Sequence, residues 1–230
     1  VFLPQLDPDF PEFPELESAA EDPNGLLAMG GNLSPSILID AYSKGIFPWY
    51  DQHSPIMWWS PNPREVIKPG QQHWSKSMRK MCKETNLNIT TDTAFEAVIS
   101  ACARQEDPHR WITDEMLNAY LELHKLGKAH SLEVWRQGEL AGGLYGIAVG
   151  AVFCGESMFH SVSNASKLAF LSLTDTLFAV GFELIDCQFE TDHLRSLGSV
   201  PISRSEYIQR LSKAQAKKID WPDTFAPVLR

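Results

Sequence analysis

Gly155-Glu-Ser-Met-Phe159, then Asn164-Ala-Ser-Lys167, then Leu184-Ile-Asp-Cys-Gln188: two polar-studded strand patterns flank the opening of a helix. A strand has period two, so Asp186 and Gln188 are expected to share a face. Cys154, Glu156 and Met158 are expected to share another, and the two faces can meet over one pocket. A carboxylate and an amide on an otherwise apolar segment (Phe182, Leu184, Ile185) are costly to bury unless each finds a hydrogen-bond partner or a substrate. The plainer alternative for so short a motif is a satisfied structural pair at a strand end.

Working outward, three strands in meander precede this unit: His130 to Arg136, turning at Gln137-Gly138; Leu140 to Ala148, turning at Val149-Gly150; and Val152 to Phe159. Asn164 is read as the cap of a helix carrying Leu168, Phe170, Leu171, Leu173, Leu177 and Phe178 and closed by Gly181, and the strand Phe182 to Gln188 follows. The order is strand, strand, strand, helix, strand. Upstream lie a short strand, Leu87 to Thr90, and helices over Thr93 to Ala103 and Asp114 to Leu126, the second ended by Gly127.

The first 25 residues or so are rich in Pro, Glu and Asp, with Phe2, Phe10 and Phe13 interspersed, and read as an extended arm pinned by aromatic contacts. Ser34-Pro35 supplies an N-cap and a first-turn proline for a helix with Ile37, Leu38, Ala41 and Tyr42, ending at Gly45. Trp49, Trp58 and Trp59 then fall among Pro48, Pro55, Pro61 and Pro63, which suggests an irregular aromatic loop. Such a loop packs between domains or forms a wall on which a base stacks. The division expected is a small N-terminal domain over residues 1–62 and a larger α+β domain over residues 63–230.

At 230 residues and 43% hydrophobic content, the chain has room for a substantial core. No run of about 18 apolar residues appears and no charged-then-apolar leader precedes Val1, so neither a membrane span nor a secretory signal is expected. The cytoplasm is the expected compartment. Cys82, Cys102, Cys154 and Cys187 form no Cys-x-x-Cys pair and no Cys/His zinc spacing, so neither a metal site nor a disulfide framework is expected.

A net charge of −9 sits badly with a nucleic-acid partner, because phosphate neutralisation by Lys and Arg supplies most nonspecific affinity. The distribution of charge says more than the sum. Lys76, Arg79, Lys80 and Lys83 fall at i, i+3, i+4 and i+7, along one helical face. Arg64, Lys68 and His73 lie just upstream, and Lys213, Lys217 and Lys218 form a second basic cluster. A solvated helix face is the alternative reading of such a run.

The chain resembles the leucyl/phenylalanyl-tRNA-protein transferases along nearly its whole length. The segments that carry the resemblance are Pro23-Asn-Gly-Leu-Leu-Ala-Met-Gly-Gly31, Ala41-Tyr-Ser-Lys-Gly-Ile-Phe-Pro-Trp49, Trp58-Trp-Ser-Pro-Asn-Pro-Arg64, Trp111-Ile-Thr113 and Gly142-Gly-Leu-Tyr-Gly146, together with the three quoted at the outset. Asn32 and Asn62 stand where the family often carries Asp, and His160-Ser161 replaces a commoner Ser-Arg. The resemblance implies an acetyltransferase-like (GNAT-type) mixed sheet flanked by helices. It implies transfer of Leu or Phe, and less well Met, from aminoacyl-tRNA to the α-amine of proteins beginning with Arg or Lys, which marks them for degradation.

The turn His160-Ser-Val-Ser-Asn164 lacks the glycines with which coenzyme A users approach a pyrophosphate, so no such cofactor is expected. The resemblance further implies that Asp186 and Gln188 act together on the attacking amine. An amide oxygen is too weakly basic to take a full proton, so Gln188 is expected to orient the amine by accepting its hydrogen bond. Glu156 is the candidate partner of the basic acceptor residue, with a turn-ordering carboxylate as its structural alternative. Leu144, Phe153, Met158, Phe170, Leu173 and Ile185 are candidate walls of the donor pocket, and Trp49 and Trp111 are assigned to the terminal adenosine. Lys76, Arg79, Lys80 and Lys83 are the candidate tRNA contacts. His193 is expected to be structural or capping, and a monomer is expected. Two other functions remain open on the residues alone: an N-acyltransferase with another donor, and a noncatalytic aminoacyl-tRNA-binding module.

Overall fold

In the computed structural model, which describes residues 3–81, 87–104 and 111–225, the elements follow in the order β1 (Gln5–Leu6), β2 (Leu26–Gly30), α1 (Pro35–Ser43), β3 (Phe47–Pro48), β4 (Met57–Trp59), β5 (Arg64–Ile67), α2 (Lys76–Met81), β6 (Leu87–Thr91), α3 (Phe95–Ala103), α4 (Asp114–Lys125), β7 (Ala129–Arg136), β8 (Glu139–Val149), β9 (Val152–His160), α5 (Ala165–Ala179), β10 (Leu184–Gln188), α6 (Asp192–Ser196), β11 (Val200–Ile202) and α7 (Arg204–Gln215). The strand, strand, strand, helix, strand unit expected from the sequence is β7, β8, β9, α5 and β10.

A seven-stranded sheet runs β11-β5-β10-β9-β8-β7-β6. Its ladders are antiparallel except β9 with β10, where the α5 crossover makes the pair parallel. Alternation along the strands separates two apolar faces. Tyr145, Ile147, Val152, Cys154 and Leu184 pack with residues of α1, α3, α4 and α7, while Leu132, Val134, Leu144, Phe153 and Ile185 pack with α5. Gly142 allows α5 to lie close on β8, since a Cβ there would stand 2.7 Å from that of Ala165.

Several local expectations are corrected. The Trp-rich segment is not wholly irregular: β3 and β4 join β1 and β2 in a second sheet of order β1-β2-β4-β3. Trp58 and Trp59 are buried there, their indole N–H groups donating to the carbonyls of Gly30 and Trp49, which offsets the cost of burying a polar edge. Phe13 packs edge-on against Trp58 with centroids 4.9 Å apart, but Phe10 is 81% exposed and pins nothing, while Phe2 lies outside the described residues. The β8–β9 turn is Gly150-Ala151 rather than Val149-Gly150, with Gly150 at φ +56°. Asn164 occupies the N-cap position of α5 in a left-handed conformation and its side chain makes no capping hydrogen bond.

Arg64 and β5 are the largest departure. Arg64 is not part of a surface basic patch: it is 1% exposed, and β5 inserts between β10 and β11. The strand goes unseen in the sequence because its pattern, Arg-Glu-Val-Ile, carries two charges, and both are buried against specific partners. Arg64 meets Asp186, and Glu65 accepts a hydrogen bond from the Ser199 hydroxyl at 2.6 Å.

Candidate active site

Two one-residue irregularities build the site, one in β9 and one in β10. Tyr145 pairs with Ser157 but Gly146 pairs with Gly155, so Glu156 is the extra residue of a β-bulge. Beyond a bulge every side chain changes face. Met158 therefore leaves the face of Cys154, where simple alternation would put it, and pairs with Leu144 on the α5 side. In β10, Asp186 pairs with Val66 and Gln188 with Glu65, leaving Cys187 unpaired in the ladder, and Gln188 adopts φ +63°. The alternation expected to set Asp186 and Gln188 side by side is interrupted at the residue between them. What joins them is the Gln188 backbone N–H, which donates to Asp186 Oδ1 at 2.9 Å.

Asp186 is fully buried and fully engaged. Arg64 Nε donates to its Oδ1 at 2.8 Å and Arg64 Nη2 to its Oδ2 at 2.6 Å, a bidentate fork, and Tyr207 Oη donates to Oδ2 at 2.7 Å. Arg64 in turn donates to the Gly45 carbonyl, and its guanidinium lies 4.6 Å from the ring centroids of both Phe47 and Tyr207. Burial works against the Arg64 charge, but Asp186 and Tyr207 hold its pKa above the ordinary value. Burial, reinforced by Asp186, keeps the Tyr207 hydroxyl well above its usual range and therefore protonated.

Gln188 points its amide at Glu156. Its Nε2 donates to Glu156 Oε1 at 2.8 Å, while Tyr120 Oη donates to Glu156 Oε2 at 3.0 Å. Tyr120 and Tyr42 lie hydroxyl to hydroxyl at 2.6 Å. Because the Tyr120 proton is committed to the carboxylate, the Tyr42 proton completes the chain toward Tyr120, and both hydroxyls are held protonated by burial. Burial also pushes the Glu156 carboxyl up to about 7, against the opposing pull of the Tyr42 and Tyr120 hydroxyls, with Asp186 raising it and Arg64 lowering it. With Nε2 on Glu156, the Gln188 side-chain oxygen faces no donor among the described residues and remains available as an acceptor.

Beside these polar groups is a cavity of about 230 Å³ lined by Leu144, Phe153, Met158, Phe170, Cys187 and Leu194, with Glu156, Asp186, Gln188, Thr191 and His193 also at its wall. It is smaller than the ~300–1,000 Å³ of sites that enclose drug-sized molecules, and it suits a single amino-acid side chain. Four of the six expected apolar walls meet here. Leu173 and Ile185 do not line it: both are fully buried in the packing between α5 and the sheet. His193 sits in the first turn of α6, whose cap is Thr191, accepting from the Leu194 N–H at 3.1 Å, so His193 itself does not cap. Burial and then Lys167 and His160 lower the His193 pKa.

Trp49, 42% exposed, packs on Trp59 and on Phe189, the residue following Gln188, with centroids 5.4 and 5.5 Å away. Trp111 is half-buried just before Thr113, whose side chain caps the helix that carries Tyr120. Neither tryptophan lines the cavity.

On α2, Lys76, Arg79 and Lys80 are exposed as the spacing predicts, and Lys83 lies outside the described residues. The helix is anchored by Trp74 Nε1 and Gln72 Nε2, which donate to the two oxygens of Asp175 on α5 at 3.1 and 2.7 Å. Lys68 pairs with Glu206, and Lys217 with Glu183. Much of the negative charge lies elsewhere. Asp7, Asp9, Glu12, Glu15, Glu17, Glu21 and Asp22 fall in the first 25 residues, which contain no Lys or Arg, leaving 22 acidic against 20 basic residues in the rest.

Sequence reasoning missed Tyr42, Tyr120, Arg64 and Tyr207. Tyr42 reads only as one apolar position of a helical repeat, and Tyr120 and Tyr207 carry no local signal; their hydroxyl partners, brought from distant elements, distinguish them.

The model for the leucyl/phenylalanyl-tRNA protein transferase family matches residues 66–212, and that for the N-terminal domain of the same family matches residues 31–62. A leucyl/phenylalanyl-tRNA--protein transferase of Saccharophagus degradans is 53% identical over 211 residues, 91% of this chain and 87% of that protein. One from Idiomarina loihiensis is 50% identical over 223 residues, 96% of this chain and 94% of that protein. Among solved structures, a GCN5-related N-acetyltransferase from Kribbella flavida is similar at 14% identity and a TM-score of 0.39, covering 69% of this chain and 57% of that one.

Proposed function

The chain belongs to the leucyl/phenylalanyl-tRNA protein transferase family, an aminoacyltransferase family with aminoacyl-tRNA and protein substrates, and from that premise we propose how its cleft carries the transfer. The donor side chain, Leu or Phe and less well Met, enters the cavity between Leu144, Phe153, Met158 and Phe170. The ester carbonyl then lies at its mouth beside Gln188. The α-amine of the acceptor protein attacks that carbonyl: the C–N bond forms, the ester C–O bond breaks, and the ribose hydroxyl leaves with the proton the amine gives up.

Esters are already activated toward amines, so alignment is most of the task, and orientation alone can supply roughly 7–11 kcal/mol. A free α-amine has a pKa of about 7.7–8.0 and must shed its proton before attacking. Gln188 Oε1 accepts a hydrogen bond from the amine and so aims its lone pair. Glu156 makes that possible by holding Nε2, which fixes which end of the amide faces the cavity. Asp186 acts through backbone, since its Oδ1 holds the Gln188 N–H and Arg64 holds Asp186.

The observation that carries this reading is a Gln amide locked by hydrogen bonds at the edge of an apolar cavity sized for one side chain. The acceptor begins with Arg or Lys, whose charge is met by Glu156. Trp49 and Trp111 serve the terminal adenosine, and Lys76, Arg79, Lys80 and Lys83 serve the tRNA phosphates. The protein works as a cytoplasmic monomer, its product is marked for degradation, and its domains divide near residue 62, a boundary supported by the entry of β5 into the large sheet directly after it.

The test is incubation with radiolabelled Leu-tRNA or Phe-tRNA and peptides beginning with Arg, Lys or Ala. Label is expected on the Arg and Lys peptides and not on the Ala peptide. Absence of transfer to all three overturns the reading, and equal labelling of the Ala peptide removes the acceptor assignment.

A further inference from the structure

After α7 the chain crosses to the α5 side of the sheet, and Ile219 touches both apolar clusters on the way. There Trp221 meets the back of a cavity wall: its ring centroid is 5.5 Å from that of Phe153, at 33°. We propose that Trp221 is a specificity-determining positioning residue, which acts through Phe153 to set the depth of the donor pocket and so the preference among donor side chains. The inference rests on the reading of that cavity as the donor pocket.

Phe153 has little room to move by itself. It is 1% exposed, and its ring lies over Gly146, where a Cβ would stand 2.6 Å from the ring Cζ. Trp221 closes off the space beyond, and Trp221 is itself held on several sides. It stacks on the His130 imidazole at 4.0 Å and 9°, donates from Nε1 to Thr91 Oγ1 at 2.8 Å, and packs near Phe182 and Phe225 at 6.3 and 5.3 Å. The imidazole is fixed in turn, with His130 Nδ1 2.7 Å from Asp92 Oδ2.

A wall braced in this way moves when the brace shrinks, and a pocket that deepens by about one methylene redistributes its preferences by roughly 10–200-fold at most.

The full-length Trp221→Leu and Trp221→Phe proteins should be assayed for kcat/KM with Leu-tRNA, Phe-tRNA and Met-tRNA at a fixed acceptor peptide. Trp221→Leu is expected to shift the Phe-to-Leu ratio by about 5-fold or more, while the acceptor KM stays constant and Trp221→Phe returns most of the ratio. The same factor for all three donors, or no change, overturns the proposal. Should Trp221→Leu fail to fold, the Phe225→Leu protein, which loosens Trp221 from its other side, carries the same comparison. Calorimetric affinities of leucyl- and phenylalanyl-adenosine read the same ratio without transfer, so failure of the transferase reading and failure of the brace remain distinguishable.

Discussion

The polar and apolar sides of the cavity are built on opposite principles. On one side, Asp186, Arg64, Tyr207, Glu156, Gln188, Tyr120 and Tyr42 form buried or half-buried hydrogen-bonded sets with nearly every donor and acceptor matched. On the other, Leu144, Phe153, Met158 and Phe170 leave a cavity unfilled. A saturated polar network is rigid because any shift leaves a buried group unpaired, whereas apolar walls accept a range of shapes at small cost. The pairing suits a reaction that needs a fixed angle of attack but tolerates more than one donor side chain.

The largest effect is expected from breaking the polar side at its deepest pair. Arg64→Met or Asp186→Ala alone leaves one uncompensated buried charge and should cost about 3–5 kcal/mol in urea unfolding. The double variant should cost clearly less than the two together. Strict additivity would show that the pair is not coupled. The resemblance implied that Asp186 acts with Gln188 on the attacking amine; the burial of Asp186 beside Arg64 makes stability the first thing to measure.

A smaller effect, with a definite sign, is expected at Glu156. Its carboxyl is pushed up from 4.5 to about 7 in the folded protein, so the folded state binds the proton more tightly and stability falls as pH rises through that window. Glu156→Gln removes this penalty. Thermal melts from pH 4 to pH 8 should show the variant gaining on the unaltered protein as pH rises, by on the order of a few degrees. A gain in the opposite direction would mean that the carboxyl is not destabilised by burial. Transfer should fall in the same variant, because a Gln can donate to Gln188 as well as accept and no longer fixes which end of the amide faces the cavity.

How much of this was visible beforehand depended on whether local pattern or distant contact made the feature. The strand, strand, strand, helix, strand order was legible because the period-two runs, the Gln137-Gly138 turn and the helix from Leu168 to Phe178 are all local signals. The cavity was legible in part. Leu144, Phe153, Met158 and Phe170, expected together from the sequence, do line one cavity, yet the reason Met158 reaches it, a bulge at Glu156, leaves no mark in a pattern that assumes strict alternation. The supporting groups were not legible. Arg64 lies 122 residues from Asp186, and Tyr42 lies 78 from Tyr120, so neither pairing has a sequence signature.

The smallest effect is expected away from both sides, on α2. Replacing Lys76, Arg79 and Lys80 with Ala should raise KM for aminoacyl-tRNA a few-fold at physiological salt, and each lost phosphate contact should reduce the salt slope of binding by about one. The turnover number should not move. A large loss in kcat would place this helix in the reaction itself rather than in tRNA capture.

Single-turnover transfer from Phe-tRNA to an Arg-initiated peptide, comparing the unaltered protein with Gln188→Ala at saturating tRNA, bears most directly on the locked amide. The transfer step is expected to slow by on the order of 100-fold, since small misplacement of an attacking group costs about that much, while tRNA affinity and melting temperature change little. A Gln188→Ala protein that transfers at the unaltered rate would contradict the account.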